Sequence, residues 1–120
     1  MARANILVVD DDEAQLKLFT SILEKKGFYV ESAITGEEAQ ELTSGTDFDL
    51  AIIDIKLPDM TGDEVVREFR SKGKEMDVIL ITGYPSLQEC INVLDLGIQE
   101  ILLKPIDAGE LLRVVEDSLS

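Results

Sequence analysis

Residues 6–12, ILVVDDD, join four consecutive apolar residues to three aspartates. An unbroken apolar run of this length is typical of a parallel strand that is covered on both faces, although it can also belong to a buried helix. Four further short runs rich in apolar residues follow at residues 29–30, 50–53, 78–81 and 101–103. Because segments with helical spacing lie between these runs, we interpret all five as strands.

Apolar residues in the intervening segments recur three, four or seven positions apart and define one face of a helix in four cases. These residues are Leu16, Phe19 and Leu23; Gly62, Val65, Val66 and Phe69; Leu87, Cys90, Ile91 and Leu94; and Leu112, Val115 and Leu119. The segment at residues 36–44 has only Ala39 and Leu42 on its inner face and carries the weakest helical signal.

Each predicted helix begins with a capping signal, in which a short oxygen-bearing side chain is followed three positions later by Glu or Gln. The pairs are Asp12 with Gln15, Thr35 with Glu38, Thr61 with Glu64, Ser86 with Glu89, and Asp107 with Glu110. The order is therefore strand then helix, repeated five times. Right-handed crossovers turn this order into an α/β fold with three α/β/α layers. We predict one doubly wound domain with a five-stranded parallel sheet in the order 2-1-3-4-5.

The composition excludes several classes of protein. The chain has 120 residues, of which 45% are hydrophobic and 30% charged, which is the balance of one globular domain. A net charge of −14 argues against direct contact with nucleic acid or with an anionic membrane. A chain without His cannot host a Ser-His-Asp triad, a His zinc site or a phosphohistidine, and a lone Cys90 cannot form an internal disulfide. Since the sequence shows neither a signal peptide nor a membrane span, we expect a cytoplasmic protein.

Polar residues follow four of the five predicted strands. Strand one ends in Asp10 and Asp11, strand three in Asp54, strand four in Thr82 and strand five in Lys104. In an open parallel sheet, ligands bind beyond the carboxyl ends of the strands where the strand order reverses. Oxygen ligands with room for water suit Mg²⁺, which would offset the repulsion among the three carboxylates. The sequence therefore predicts a magnesium site at this edge.

The same side chains suit a phosphoryl group. The Lys104 ammonium and the Thr82 hydroxyl would bind its oxygens, and one carboxylate would act as the nucleophile. Asp54 is the better candidate, because it stands alone after a buried strand, whereas the other two acids are adjacent and better placed as metal ligands. Taken singly, each residue also has an ordinary explanation as a helix cap, a loop residue or a strand end.

Four stretches together resemble the receiver domain of response regulators in two-component signalling. They are residues 6–12, 54–62, 81–83 and 103–105, and the resemblance covers essentially residues 1–120 as one receiver domain. It implies that Asp54 is the phosphoacceptor for a sensor histidine kinase. It also implies that Asp10, Asp11, Asp54 and the backbone carbonyl of Lys56 hold Mg²⁺. Thr82 and Lys104 would bind the phosphoryl oxygens, and the bond between Lys104 and Pro105 would be cis.

One position departs from the pattern of the family. Many members carry an aromatic ring three residues before the lysine, where this chain has Ile101. We therefore expect the signal to leave through residues 82–85, which would tilt the helix at residues 86–96. That helix, strand five and the last helix would form the face for an output domain, a downstream protein or a phosphorylation-dependent homodimer. Lys56 and Tyr84 would flank the pocket and affect the phosphoryl lifetime.

Competing functions differ at identifiable residues. A haloacid-dehalogenase-type phosphatase needs an acid where this chain has Lys56, so we do not expect a turnover enzyme. A flavodoxin-like flavin carrier needs a hydroxyl-rich loop after strand one, which the acidic run contradicts. A receiver-fold interaction scaffold that is not switched by phosphorylation stays open as the alternative. Whether the domain stands alone or belongs to a longer regulator or kinase also stays open.

Overall fold

The computed structural model describes residues 3–83, 93 and 95–120, and strands and helices alternate along most of this part of the chain. The elements in chain order are β1 (Asn5–Val9), α1 (Glu13–Lys25), β2 (Tyr29–Ala33), α2 (Gly36–Gly45), β3 (Leu50–Asp54), α3 (Gly62–Ser71), β4 (Asp77–Thr82), β5 (Ile98–Leu103) and α4 (Ala108–Leu119). Most of the helix predicted at residues 86–96 lies outside the described residues.

The five strands form one parallel sheet in the order β2-β1-β3-β4-β5, as the sequence predicted. The order reverses between β1 and β3, which are direct neighbours at the centre of the sheet. Strand β5 is longer than predicted and contains a register shift, because Val78 pairs with Ile98 whereas Ile79 pairs with Glu100. The predicted doubly wound α/β fold is confirmed.

Alternate residues of the central strands face two separate hydrophobic clusters, one on each side of the sheet. Leu7 and Val9 of β1 lie in the cluster beneath α2 and α3, whereas Ile6 and Val8 lie in the cluster beneath α1 and α4. All five residues of β3 are buried. A strand covered on both faces needs apolar residues at every position, which explains the unbroken apolar runs.

The capping signals predicted for the four described helices correspond to hydrogen bonds. Asp12 accepts from the amides of Ala14 and Gln15, and Asp107 accepts from the amide of Glu110. Thr35 accepts from the amide of Glu38, and the Glu64 carboxylate accepts from the hydroxyl of Thr61 at 2.9 Å and from its amide at 3.4 Å. These bonds satisfy donors at helix starts that would otherwise lack partners.

The inward faces of two helices differ from the prediction. In α4 the fully buried residues are Leu111, Val114 and Val115, whereas Leu112 and Leu119 are only partly buried. In α2 the hydroxyl residue Thr43 is buried beside Ala39, and its side chain donates to the backbone carbonyl of Gln40. This bond lets a polar residue take an inward position that the apolar pattern left unassigned.

Candidate functional site

The polar residues predicted at the strand ends converge at one edge of the sheet. Asp54 and Thr82 are the last residues of β3 and β4, Asp10 and Asp11 directly follow β1, and Lys104 directly follows β5. All of these residues except Asp10 line a cavity of about 310 Å³, together with Lys56 and Gly83. Asp10 is buried and is not part of the lining. Because all strands run in the same direction, their carboxyl ends bring residues distant in sequence to this edge.

Three carboxylates form the acidic part of the site. One oxygen each from Asp10, Asp11 and Asp54 lies within 4.8 Å of the other two. Asp10 and Asp54 are 1% and 5% exposed, whereas Asp11 is open to solvent. Oδ1 of Asp10 accepts from the Asp12 amide, and Oδ1 of Asp54 accepts from the Lys56 amide, both at 2.9 Å. These bonds fix the two buried carboxylates and direct their remaining oxygens into the site.

Lys104 places a positive charge beside the carboxylates. Its Nζ lies 2.6 Å from Oδ2 of Asp54 and 3.6 Å from Oδ2 of Asp10. Burial opposes the charged form, but the hydrogen bond and charge of Asp54, together with the charge of Asp10, outweigh it and raise the pKa of Lys104. The ammonium is therefore held charged beside the candidate phosphoacceptor. The Lys104–Pro105 bond is cis, as the resemblance implied.

Asp10 has one carboxylate oxygen that could coordinate a metal ion. Its Oδ2 is buried and accepts no hydrogen bond from the residues that the structure describes. Burial raises the pKa of this carboxyl, as does the charge of Asp54, against the lowering effects of the Asp12 amide and Lys104. A hard divalent cation coordinated by this oxygen would offset both burial and repulsion, so the donor set fits Mg²⁺.

The loop after β3 folds back tightly on the end of its strand. Lys56 and Thr61 form an antiparallel bridge, and the amide of Gly62 donates to the carbonyl of Ile55 at 2.7 Å. A Cβ at Gly62 would lie 2.8 Å from the carbonyl oxygen of Asp54, closer than packed atoms approach. Only glycine allows this contact, so residue 62 sets the path by which the loop leaves Asp54.

One residue near the site had no role predicted from the sequence. Asp59, at the tip of this loop, accepts hydrogen bonds from the amides of Gly36 and Glu37 at 2.9 Å each. These bonds hold the pKa of Asp59 below its usual value. Asp59 lies 23 residues from Gly36 in sequence, and the local pattern at α2 already offered Thr35 as the cap. No local signal could have revealed the contact.

The sequence predicted a role in phosphoryl lifetime for Tyr84 and linked the switching route to Ile101. Tyr84 lies outside the described residues. Ile101 of β5 is partly buried and packs against the hydrophobic cluster beneath α2 and α3. Its side chain therefore belongs to the packing between the sheet and that layer.

Comparison with known proteins identifies the family. Residues 6–116 match the response regulator receiver domain. The chain belongs to the response regulator receiver domain family. This receiver domain is 36% identical to the probable transcriptional regulatory protein SilR of Salmonella typhimurium and 35% identical to the transcriptional regulatory protein CusR of Escherichia coli K12. Each alignment covers 95% of the chain but 50% of the relative, so the chain spans about half the length of the curated relatives it matches.

Solved structures of receiver domains share the fold. A CheY-like response regulator receiver domain protein from Methanospirillum hungatei superposes with a TM-score of 0.94 at 36% identity, over 98% of this chain and 94% of that one. The non-phosphorylated HemR receiver domain from Leptospira biflexa gives 0.91 at 31% identity, over 98% and 95%. The predicted family and its place in two-component signalling are thus confirmed. Receiver domains generally hold Mg²⁺ at an acidic cluster, which here corresponds to Asp10, Asp11 and Asp54. None of the described helices combines the length and apolar character needed to cross a bilayer.

Proposed function

We propose that this receiver domain, spanning residues 1–120, accepts a phosphoryl group on Asp54 from the phosphohistidine of a sensor histidine kinase, in a Mg²⁺-dependent reaction. The observation that carries the proposal is the setting of the Asp54 carboxylate. It is buried at the end of β3, lies within 4.8 Å of oxygens of Asp10 and Asp11, and contacts the Lys104 ammonium at 2.6 Å. A nucleophile, a set of cation ligands and a fixed positive charge thereby meet at one point.

Each side chain has a defined task in the transfer. An oxygen of Asp54 attacks phosphorus, and the phosphorus–nitrogen bond breaks with its electron pair moving to the imidazole of the donor. Lys104 and the Thr82 hydroxyl stabilise the phosphoryl oxygens as charge shifts among them. When bound, Mg²⁺ would be held by Asp10, Asp11, Asp54 and the Lys56 carbonyl, and it would neutralise charge on the phosphoryl group.

The same site disfavours catalytic turnover. The position two residues after Asp54 holds Lys56, whose exposed ammonium cannot serve as the carboxylic acid that protonates a leaving group. The domain would therefore take part in its own phosphorylation and dephosphorylation without turning over a separate substrate. Transfer from a sensor kinase is in keeping with a cytoplasmic location. The charge of −14 disfavours nucleic-acid contact by this domain.

Switching would begin at Thr82. The amide of Lys104 donates to the Thr82 carbonyl at 2.9 Å, so movement at the end of β4 reaches β5 directly. We infer that residues 82–85 respond to the phosphoryl group and alter the face formed by residues 86–96, β5 and α4. Most of residues 84–96 lie outside the described part of the chain. An output domain, a downstream protein or a second copy of the domain would bind this face.

Intact-mass spectrometry after treatment with acetyl phosphate tests the proposed function. The wild-type domain should gain one phosphoryl group with Mg²⁺ and none with EDTA, and Asp54→Asn should gain none. Asp117→Asn is the matched control, because Asp117 is an exposed acid on α4, where it pairs with Arg113. If Asp54→Asn is modified as fully as wild type, the acceptor is assigned wrongly. If the wild type stays unmodified, the interaction scaffold becomes the better account.

A further inference from the structure

We infer that Asp59 is a positioning residue for the phosphoacceptor site, an inference that rests on the proposed function. Its carboxylate fastens residues 55–61, which we call the phosphoacceptor loop, to the N-terminus of α2. This attachment holds the Lys56 backbone beside Asp54 in the geometry that Mg²⁺ binding requires. Asp59 is not among the described residues that line the cavity, and its carboxylate accepts hydrogen bonds from Gly36 and Glu37 instead.

The attachment uses both carboxylate oxygens. Oδ1 of Asp59 accepts from the Gly36 amide and Oδ2 accepts from the Glu37 amide, each at 2.9 Å. Amides in the first turn of a helix have no partner within the helix and favour a negative charge. Thr35 takes the Glu38 amide of the same turn. The first turn of α2 is therefore capped by one local residue and by one residue of the phosphoacceptor loop.

The base of the loop is closed by two backbone contacts that Asp59 does not itself make. The Lys56–Thr61 bridge and the bond from the Gly62 amide to the Ile55 carbonyl close the loop directly above β3. Leu57 and Met60 pack, partly buried, against the cluster beneath α2 and α3. Asp59 is exposed, and its carboxylate gives the loop tip a polar attachment to a separate element. The tip is thus held by two apolar contacts and one bidentate bond.

Lys56 connects the attachment to the site. Its amide donates to Oδ1 of Asp54, and its carbonyl is the proposed backbone ligand of Mg²⁺. Asp59 lies three residues further along the same short loop, so release of the tip would increase the motion of this backbone. A residue that only capped α2 would affect the stability of the fold and leave the site unchanged. A positioning role and a purely capping role therefore predict different results.

Asp59→Ala and Thr35→Ala form a matched pair, because each removes a cap from the first turn of α2 but only Asp59 belongs to the phosphoacceptor loop. Isothermal titration of each variant with Mg²⁺ gives the affinity. Removal of residues that orient metal ligands commonly lowers metal affinity 10- to 100-fold, and we expect about a tenfold loss for Asp59→Ala. Thr35→Ala should keep the wild-type affinity. Asp59→Asn retains one acceptor oxygen and should fall between wild type and Asp59→Ala.

Amide hydrogen exchange measured by NMR without Mg²⁺ supplies a readout that does not depend on metal binding. Exchange at Lys56 and Gly62 should be faster in Asp59→Ala and unchanged in Thr35→Ala. If the two variants lose stability alike while affinity and exchange at these amides stay at wild-type levels, Asp59 is only a helix cap and the inference is overturned. If the wild-type domain binds no Mg²⁺, the proposed function fails, and the exchange rates alone decide whether Asp59 positions the loop.

Discussion

Asp10 is a buried acid whose burial disfavours folding and whose proposed role is to bind Mg²⁺. Its carboxylate is almost fully buried, and one oxygen lacks a hydrogen bond from the described residues. Lys104 lies 3.6 Å away and is held more closely by Asp54. The raised pKa of Asp10 shows that burial and the neighbouring acid together outweigh the favourable contacts. A bound cation would relieve the repulsion and the cost of burial, and this relief would contribute to its binding affinity.

Without Mg²⁺, Asp10→Asn should increase the free energy of unfolding at pH 7. A carboxyl whose pKa is raised by folding stabilises the folded state below its unfolded pKa and loses that contribution as the pH rises through the folded pKa. The gain should therefore shrink as the pH falls towards the ordinary value of 3.8. Urea denaturation in EDTA at several pH values measures it, with Asp117→Asn as the exposed control. A less stable Asp10→Asn at pH 7 would show that the ionised carboxylate is favourable.

At the scale of single elements, the start of α3 is tied to the site through one glycine. Gly62→Ala would place a Cβ 2.8 Å from the Asp54 carbonyl oxygen and 2.9 Å from Cα of Ile55. Since both atoms are backbone, they cannot move aside cheaply, and overpacking of this kind commonly costs about 1–3 kcal/mol. We expect a loss of that size in the free energy of unfolding, together with slower phosphorylation.

Gly45→Ala is the matched control for this change. Gly45 is the last residue of α2, and a Cβ there would meet no atom within 4 Å. Alanine is the better helix former by up to about 1 kcal/mol, so this variant should keep or gain stability and phosphorylate normally. Equal behaviour of the two variants in urea denaturation would contradict the role assigned to the backbone contact.

The buried face of a helix was predicted correctly where the apolar residues allow only one inward stripe. In α3, the spacing of Gly62, Val65 and Phe69 allows one inward stripe, and those residues are buried. In α4, apolar residues at neighbouring positions allow two overlapping stripes, and the choice of Leu111 over Leu112 depends on how the helix lies on the sheet. That orientation is set by residues distant in sequence, which a local pattern does not contain.

The sequence predicted which residues meet at the site but not their exposure or their individual contacts. A parallel sheet must bring strand ends to one edge, so the grouping of Asp10, Asp54 and Lys104 follows from topology. The unequal exposure of Asp10 and Asp11, and the closer contact of Lys104 with Asp54, depend on side-chain packing. The contact of Asp59 with α2 depends on the path of a loop and had no signal in either segment.

For the whole molecule, Mg²⁺ should act as a stabilising ligand. Binding restricted to the folded state adds about 2.7 kcal/mol when free metal exceeds Kd a hundredfold. The melting temperature should therefore rise with millimolar Mg²⁺, and Asp11→Asn should reduce the rise. Asp11 is the exposed member of the acidic cluster, so its replacement leaves the core intact. A full Mg²⁺ response in Asp11→Asn would remove this residue from the proposed ligands.

Signalling requires that occupation of the site changes a distant surface. Because Ile101 packs, partly buried, against the cluster beneath α2 and α3 and offers no aromatic ring to turn inward, we expect the change to pass through residues 82–85 and along β5. Amide NMR with Mg²⁺, with and without beryllofluoride, should show shifts at residues 86–96 and 100–104. Shifts confined to the cavity would favour a scaffold that phosphorylation does not switch.

The identity of the phosphorylated residue tests the central claim most directly. Borohydride reduces an aspartyl phosphate to homoserine, which tandem mass spectrometry locates in the sequence. After phosphorylation with acetyl phosphate and Mg²⁺, homoserine should replace aspartate at position 54 and at no other acid, with none formed in EDTA. Homoserine at Asp10, Asp11 or Asp12, or equal labelling with and without Mg²⁺, would contradict the assignment of Asp54 as the Mg²⁺-dependent phosphoacceptor.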